Sequence, residues 1–198
     1  RLVRGAFLLL IGIAKKVLLA DLFAGYADQV FAVAEGARTV GFVDAWAGAG
    51  AFGLQIYFDF SAYSDMAIGL AMMAGIQLPE NFNAPYRAVS LVEFWRRRHM
   101  TLSRFLRDYL YIAMGGSRAG MLRQAAALSA TMLLGGLWHG AAWTFVVWGG
   151  LHGIGLVIAH FWGKTGMVIG RPAGWALTMV YVFWAWVMFR AETMTGTT

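Results

Sequence analysis

Long apolar segments, separated by short polar ones, dominate the pattern of this chain. They cover residues 5–23, 42–78, 124–163 and 173–189. One crossing of a bilayer needs about 20 apolar residues. The segment 124–163 contains no Asp, Glu, Lys or Arg, and it has room for about two crossings. The pattern predicts an all-α protein with several membrane-embedded helices.

Polar residues interrupt the first two segments. Lys15 and Lys16 lie inside the first, which favours a helix at the membrane interface or lysines that extend to it. The more polar residues 26–39 are predicted to be a connecting loop. Asp59 and Asp65 interrupt the second segment. They are expected to face protein or a cavity, and hydrogen bonding between helices remains the alternative to a functional role.

A basic helix is predicted after the turn-rich residues 79–85. Ser90 and Glu93 have the spacing of a capping box, so the helix should begin near Leu91. It should run towards Met114 and end at the glycines of positions 115 and 116. Trp95, Arg96, His99 and Ser103 recur at spacings of three and four residues and should share one face. That face is either the wall of a cavity or a solvated basic surface.

Three of the four histidines lie in or next to the charge-free segment, at positions 139, 152 and 160. Histidine moves protons near neutral pH, and a titratable group at such depth is either hydrogen-bonded or functional. His139, in the run GGLWHG, is therefore a candidate acid or base. His152 lies a net rotation of about 220° away on a straight helix and is predicted to play a supporting role. His160 is expected at an interface.

Composition agrees with a membrane protein and excludes several kinds of chemistry. Hydrophobic residues make up 60% and charged residues 13%, against about 25% charged residues in soluble domains. The net charge is +6, which is interpreted as cytoplasmic anchoring and not as nucleic-acid binding. The chain has no cysteine, so thiolate chemistry is excluded. No metal-ligand spacing, serine elbow or phosphate-binding loop is present.

Five motifs together are similar to one known family. They are residues 55–61 (QIYFDFS), 81–86 (NFNAPY), 93–97 (EFWRR), 99–103 (HMTLS) and 136–140 (GLWHG). The chain resembles, over nearly its whole length, the alginate O-acetyltransferase branch of the membrane-bound O-acyltransferase (MBOAT) superfamily. It departs at Ala62, Arg98 and Ala113, where the family usually has Gly, Trp and Pro. Arg98 would change the lining near His99 and so bears on donor or acceptor preference.

The resemblance implies a polytopic membrane fold with re-entrant and interfacial helices around a central tunnel. Residues 1–198 would form a single membrane-embedded core, cut from a longer chain, in the bacterial cytoplasmic (inner) membrane. The implied reaction moves an acetyl group from a cytoplasmic donor, acetyl-CoA, to hydroxyls of an extracytoplasmic polysaccharide such as alginate. Transfer would be direct or through a periplasmic SGNH-type acetyltransferase partner. Membrane lipids are further partners, and no nucleic acid, bound cofactor or metal is expected.

The same resemblance assigns roles to particular residues. His139 would be the catalytic histidine and His99 the second catalytic position. Donor or substrate binding is expected of Trp95, Arg96, Arg97, Ser103, Trp138 and Asp59. Arginines 96–107 would attract phosphates of CoA or would only set the topology.

Three alternatives remain open. D-alanyl transfer to teichoic acids uses the same Trp-His-Gly core. A non-catalytic channel or translocation subunit would use the histidines and arginines to line a pore. A structural scaffold has no feature in its favour.

Overall fold

Helices and the loops between them account for all the residues that the computed structural model describes, which are 1–36, 38–118 and 120–191. The α-helices are α1 (Leu2–Ala14), α2 (Asp21–Glu35), α3 (Phe42–Met73), α4 (Leu91–Arg97), α5 (Met100–Phe105), α6 (Met121–His139), α7 (Trp143–Lys164) and α8 (Arg171–Arg190). No described residue lies in a β-strand. The predicted all-α class is confirmed. The chain divides into two compact units, unit 1 (Arg1–Phe82) and unit 2, which begins at Asn83.

Unit 1 contains one long helical run that packs on α3. A π-helical segment, Lys15–Ala20, joins α1 to α2, so the chain stays helical as far as Glu35. The loop predicted for residues 26–39 is therefore wrong over residues 26–35. Those ten residues include Asp28, Gln29 and Glu35 but neither Gly nor Pro, and a few polar side chains alone do not end a helix. The first residue that does so is Gly36.

Ion pairs to α3 account for both lysines of the first segment. Lys15 Nζ lies 2.7 Å from Asp65 Oδ2. Lys16 Nζ lies 2.8 Å from Asp59 Oδ1 and 2.8 Å from Asp21 Oδ1. The two acids of α3 thus serve as links between helices, as one of the two interpretations of the sequence expected.

Unit 2 is built around the close contact between α6 and α7. A Cβ atom placed on Gly149 would lie 2.5 Å from the Met132 carbonyl oxygen and 3.2 Å from Leu133 Cα. One on Gly153 would lie 3.1 Å from Ser129 Cα. The two backbones meet where side chains are absent. Small residues separated by three intervening positions allow such a contact in membrane helices. Gly149 and Gly153 therefore form the contact surface of α7 with α6.

Two of the described helices are long and apolar enough to cross a membrane. They are α7, with 22 residues, and α8, with 20 residues. The charge-free segment, predicted to have room for about two crossings, forms most of α6 and α7, and of these only α7 meets that criterion. Tyr181 of α8 donates a hydrogen bond to the Leu151 carbonyl of α7, so α8 packs against α7.

The contact between α6 and α7 can be tested with two single-methyl additions. We expect Gly149→Ala in the full-length protein to lower the free energy of unfolding by about 1–3 kcal/mol, because the methyl group would overlap the α6 backbone. Gly150→Ala is the matched control, since its Cβ would meet only Leu133 Cδ2 at 3.6 Å. Denaturant unfolding in detergent micelles measures both. A Gly149→Ala protein as stable as the control would contradict the close contact.

Candidate active site

A break in the basic helix creates the site. The helix α4 ends at Arg97, Arg98 is extended, and His99 adopts a left-handed conformation with φ 47° and ψ 52°. Such a conformation is uncommon for a residue other than glycine and persists only where the surroundings hold it. The chain then continues into α5 and the π-helical segment Leu106–Tyr111. The prediction of one uninterrupted helix towards Met114 is wrong at this point.

The start of α4 is as predicted. The Glu93 amide donates to Ser90 Oγ at 3.2 Å, and Glu93 Oε2 accepts from the Val89 amide at 2.8 Å. The glutamate thus reaches one residue further back than in the usual capping box. The Val89 amide and the Arg97 guanidinium lower the pKa of Glu93. Glu93 and Arg97 form an ion pair of 2.6 Å, so α4 is fixed at both ends.

The break separates the four residues that were predicted to share a face. Trp95 and His99 are both buried, at 8% exposure, whereas Arg96 is exposed. Ser103 is half-buried and donates to the Arg98 carbonyl at 3.2 Å. The single polar face is therefore a wrong prediction, because α4 and α5 are not one continuous helix. Each of the four side chains has surroundings of its own.

The end of α6 presents Trp138 and His139. His139 is half-buried, and its ring centroid lies 5.0 Å from Phe189, 5.4 Å from Trp148 and 6.2 Å from Phe145. Gly140 ends the helix where a Cβ would lie 2.8 Å from the Phe145 ring. Aromatic rings from α7 and α8 thus hold the imidazole in place.

His139 and the rings of Phe145, Trp148 and Phe189 form an aromatic cluster. Trp138 connects His99 to this cluster. The Trp138 ring centroid lies 6.2 Å from that of His99 and 5.0 Å from that of His139. Trp138 itself is 63% exposed. Burial lowers the pKa of His99, and the charges of Arg98 and His139 lower it further. His99 is therefore neutral at pH 7, with one ring nitrogen able to donate a hydrogen bond and the other able to accept one.

His152 is the buried support of this cluster. It is fully buried, and Trp95 Nε1 donates to its Nδ1 at 3.2 Å. Since Nδ1 accepts, the neutral ring carries its proton on Nε2, which has no hydrogen-bond partner among the described residues. The His152 ring also contacts Trp148, with centroids 4.8 Å apart. The indole N–H of Trp95, a residue predicted to bind the donor or substrate, is thus used in the hydrogen bond to His152.

Sequence reasoning missed the aromatic residues of α7 and α8 and the environment of Arg98. Trp148, Trp186 and Phe189 pack on one another, with centroid distances of 5.1–5.9 Å. The aromatic content of the last apolar segment is visible in the sequence, but it does not indicate which rings contact one another. Arg98 is buried against Trp186, with Cζ 4.3 Å from the ring centroid.

Other residues singled out in the sequence have side-chain partners that do not belong to this cluster. Asp59 belongs to unit 1 and pairs with Lys16. Arg97 is held by Glu93. His160 Nε2 lies 2.8 Å from Gln124 Nε2. Within the described ranges, no three His, Asp or Glu side chains are grouped as a metal site would require.

Comparison with known proteins identifies the family. The sequence profile of the membrane-bound O-acyltransferase family, MBOAT, matches residues 2–194. The chain belongs to this family. Family membership and the two long apolar helices make it part of a membrane protein.

Curated relatives divide into three named activities. The probable alginate O-acetylase AlgI of Pseudomonas aeruginosa is 49% identical over 184 residues, which are 92% of this chain and 35% of that protein. The peptidoglycan O-acetyltransferase of Helicobacter pylori is 44% identical over 194 residues, 96% and 36%. The teichoic acid D-alanyltransferase of Streptococcus thermophilus is 35% identical over 127 residues, 61% and 31%. The chain thus spans about a third of the length of these relatives.

The hydrogen bond between Trp95 and His152 yields a stability prediction. We expect Trp95→Phe in the full-length protein to lower the free energy of unfolding by about 1–3 kcal/mol, because a buried acceptor loses its donor. The control is Trp175→Phe, which removes a bond of 2.8 Å to the Tyr86 carbonyl from a tryptophan that is 47% exposed. Thermal unfolding in detergent compares them. Equal stability of the two variants would contradict the buried role of the Trp95 bond.

Proposed function

We propose that the full-length protein is an O-acyltransferase that moves an acetyl group from acetyl-CoA, on the cytoplasmic side, to hydroxyls of an extracytoplasmic polysaccharide. One observation carries the proposal. Two histidines, His99 and His139, contact the same exposed Trp138 ring in a chain that belongs to the MBOAT family. An imidazole beside an exposed surface can supply the base that hydroxyl acylation needs, since a proton must leave the hydroxyl as it attacks.

His139 is the general base of this proposal. Its imidazole takes the proton of the acceptor hydroxyl while the hydroxyl oxygen bonds to the thioester carbonyl carbon. The carbon–sulfur bond then breaks, and the proton passes to the departing thiolate. General-base catalysis supplies about 10²–10⁴-fold in rate. The rings of Phe145, Trp148 and Phe189 around His139 fix the direction of the imidazole, which such a step requires.

His99 acts on the carbonyl oxygen. The neutral imidazole donates a hydrogen bond to the negative charge that develops there as the hydroxyl attacks. A fixed donor of this kind stabilises an oxyanion more effectively than mobile water does. The left-handed backbone at His99 supports this role, because strained conformations concentrate where a side chain must be aimed.

The other predicted residues divide by their surroundings. Arg96 is exposed and forms no ion pair with any described residue, so it is suited to a CoA phosphate. Arg97 holds Glu93, and Ser103 holds the Arg98 carbonyl; both support the break. The exposed Trp138 ring offers an apolar surface to the acyl chain. Asp59 has no such support beyond the sequence prediction.

The wider setting extends the same proposal. The proposed location is the bacterial inner membrane, within a multi-pass chain. The acceptor is a polysaccharide such as alginate, which the names of several relatives support. A periplasmic SGNH-type acetyltransferase completes the transfer where it is not direct.

D-alanyl transfer is the second candidate, favoured by the relative named teichoic acid D-alanyltransferase at 35% identity. It uses the same two histidines on a different acyl donor. A channel or translocation subunit would not need a base, so replacement of His139 by Gln would retain transport.

Acetyl transfer by the full-length protein tests the role of His139. In inverted membrane vesicles with labelled acetyl-CoA, we expect His139→Ala to lower the transfer rate by at least about 10²-fold, because the base is removed. His160→Ala is the matched histidine control, since His160 bonds to Gln124, away from the cluster. Equal membrane insertion is checked for each protein.

Two results would change the assignment. Normal transfer by His139→Ala would remove the base and favour the channel or scaffold. Absence of acetyl transfer by the wild type, with transfer from a D-alanyl carrier protein, would favour the second candidate.

The role of Arg96 is tested with two donors. We expect Arg96→Gln to raise KM for acetyl-CoA about 10-fold, because hydrogen bonds between charged groups are worth about 1.5–3 kcal/mol. KM for acetyl-pantetheine, which lacks the nucleotide phosphates, should change little. Arg123→Gln is the control, being an exposed arginine near the start of α6. An equal rise for both donors would show that Arg96 does not bind phosphate.

A further inference from the structure

Arg98 is a buried cation that the proposed mechanism leaves unused. Its side chain and backbone together are only 5% exposed. Arginine is almost never so buried unless an acid pairs with it, because an uncompensated charge in the interior is costly. No carboxylate within residues 1–36, 38–118 and 120–191 forms an ion pair with Arg98.

The charge of Arg98 persists in these surroundings. Burial lowers the pKa of Arg98 to about 10, which is still three units above neutral pH. The guanidinium stacks on Trp186, with Cζ 4.3 Å from the ring centroid. Stacking uses the face of the planar group and leaves its N–H edge for hydrogen bonds in the plane. That edge is the part that binds a carboxylate with two parallel bonds.

Arg98 also belongs to the same aromatic cluster as both candidate catalytic histidines. It precedes His99 in the chain. Trp186, its stacking partner, lies 5.2 Å from Phe189, and Phe189 lies 5.0 Å from His139, between ring centroids. The cation is therefore part of the cluster in which the acyl group and the attacked hydroxyl would meet.

We propose that Arg98 is a specificity-determining residue that binds a carboxylate of the substrate beside the reacting centre. The proposal rests on the acyltransferase function proposed above. A substrate carboxylate would compensate the buried charge, which no described carboxylate does. The phosphates of a CoA donor are less suitable, because they lie far along the molecule from the reacting thioester. Tryptophan, the residue that the resembled family usually has at position 98, has no charge for such a bond.

Two parts of the substrate can carry this carboxylate. It belongs either to the acyl group, as in a dicarboxylic acyl chain, or to the acceptor, as in a uronic acid unit. The experiment therefore crosses two donors, acetyl-CoA and succinyl-CoA, with two acceptors, a neutral oligosaccharide and an oligouronate. The full-length wild type is compared with Arg98→Gln, Arg98→Lys and Arg98→Trp.

We expect kcat/KM for carboxylate substrates, relative to neutral ones, to fall about 10–100-fold in Arg98→Gln, the range set by one charged hydrogen-bonded pair. Arg98→Lys should retain part of the preference, because it keeps the charge but not the paired bonds. Arg118→Gln, at an exposed arginine, should leave the ratio unchanged. A fall confined to succinyl-CoA places the carboxylate on the acyl group, and one confined to the oligouronate places it on the acceptor.

A binding measurement separates failure of this proposal from failure of the proposed function. Trp186 stacks on Arg98, so tryptophan fluorescence should report a carboxylate bound there without any turnover. Oligouronate or succinate should bind the wild type at least about 10-fold more tightly than Arg98→Trp, a variant that keeps the cluster filled. Equal binding, or an equal loss of kcat/KM with all four substrate pairs, would overturn the role of Arg98. Carboxylate binding without acyl transfer by the wild type would overturn the function and leave the Arg98 site standing.

Discussion

The backbone contact between α6 and α7 is the constraint on which the site depends. Gly149 and Gly153 bring the two helices together with no side chain between them. That contact fixes α6 against α7, and so it places His139 against Trp148 of α7. A larger residue at either glycine would move the imidazole relative to its aromatic neighbours. The chemistry proposed for the protein thus begins with a packing requirement.

The second requirement is the interruption between α4 and α5. In an uninterrupted helix, the side chains at positions 98 and 99 would point in different directions around the helix axis. The extended Arg98 and left-handed His99 instead direct both residues into the interior. Local bonds on either side hold this geometry, through Glu93 to Arg97 and through Ser103 to the Arg98 carbonyl. The strain is offset by the contact of the His99 ring with Trp138 and of the Arg98 guanidinium with Trp186.

Local sequence signals predicted helices and where they begin. Features that depend on contacts between residues distant in the chain could not be predicted. The start of α4 follows from Ser90 because capping involves neighbouring residues only. The bond from Trp95 to His152 joins positions 57 apart, and no spacing rule connects them. No glycine or proline marks the break at His99 in the sequence, because packing against other helices imposes it. Arg98 was visible as a departure from the resembled family, but its burial required the fold.

The central claim is that His99 and His139 act on one reacting group, and a double-mutant cycle tests it most directly. Acetyl transfer by the full-length protein is measured for His99→Ala, His139→Ala and the double variant. Residues that act as a unit are strongly non-additive. We predict that the double variant is no more than about threefold slower than the slower single variant. Rate losses that multiply would show that the two histidines act independently and would contradict the account.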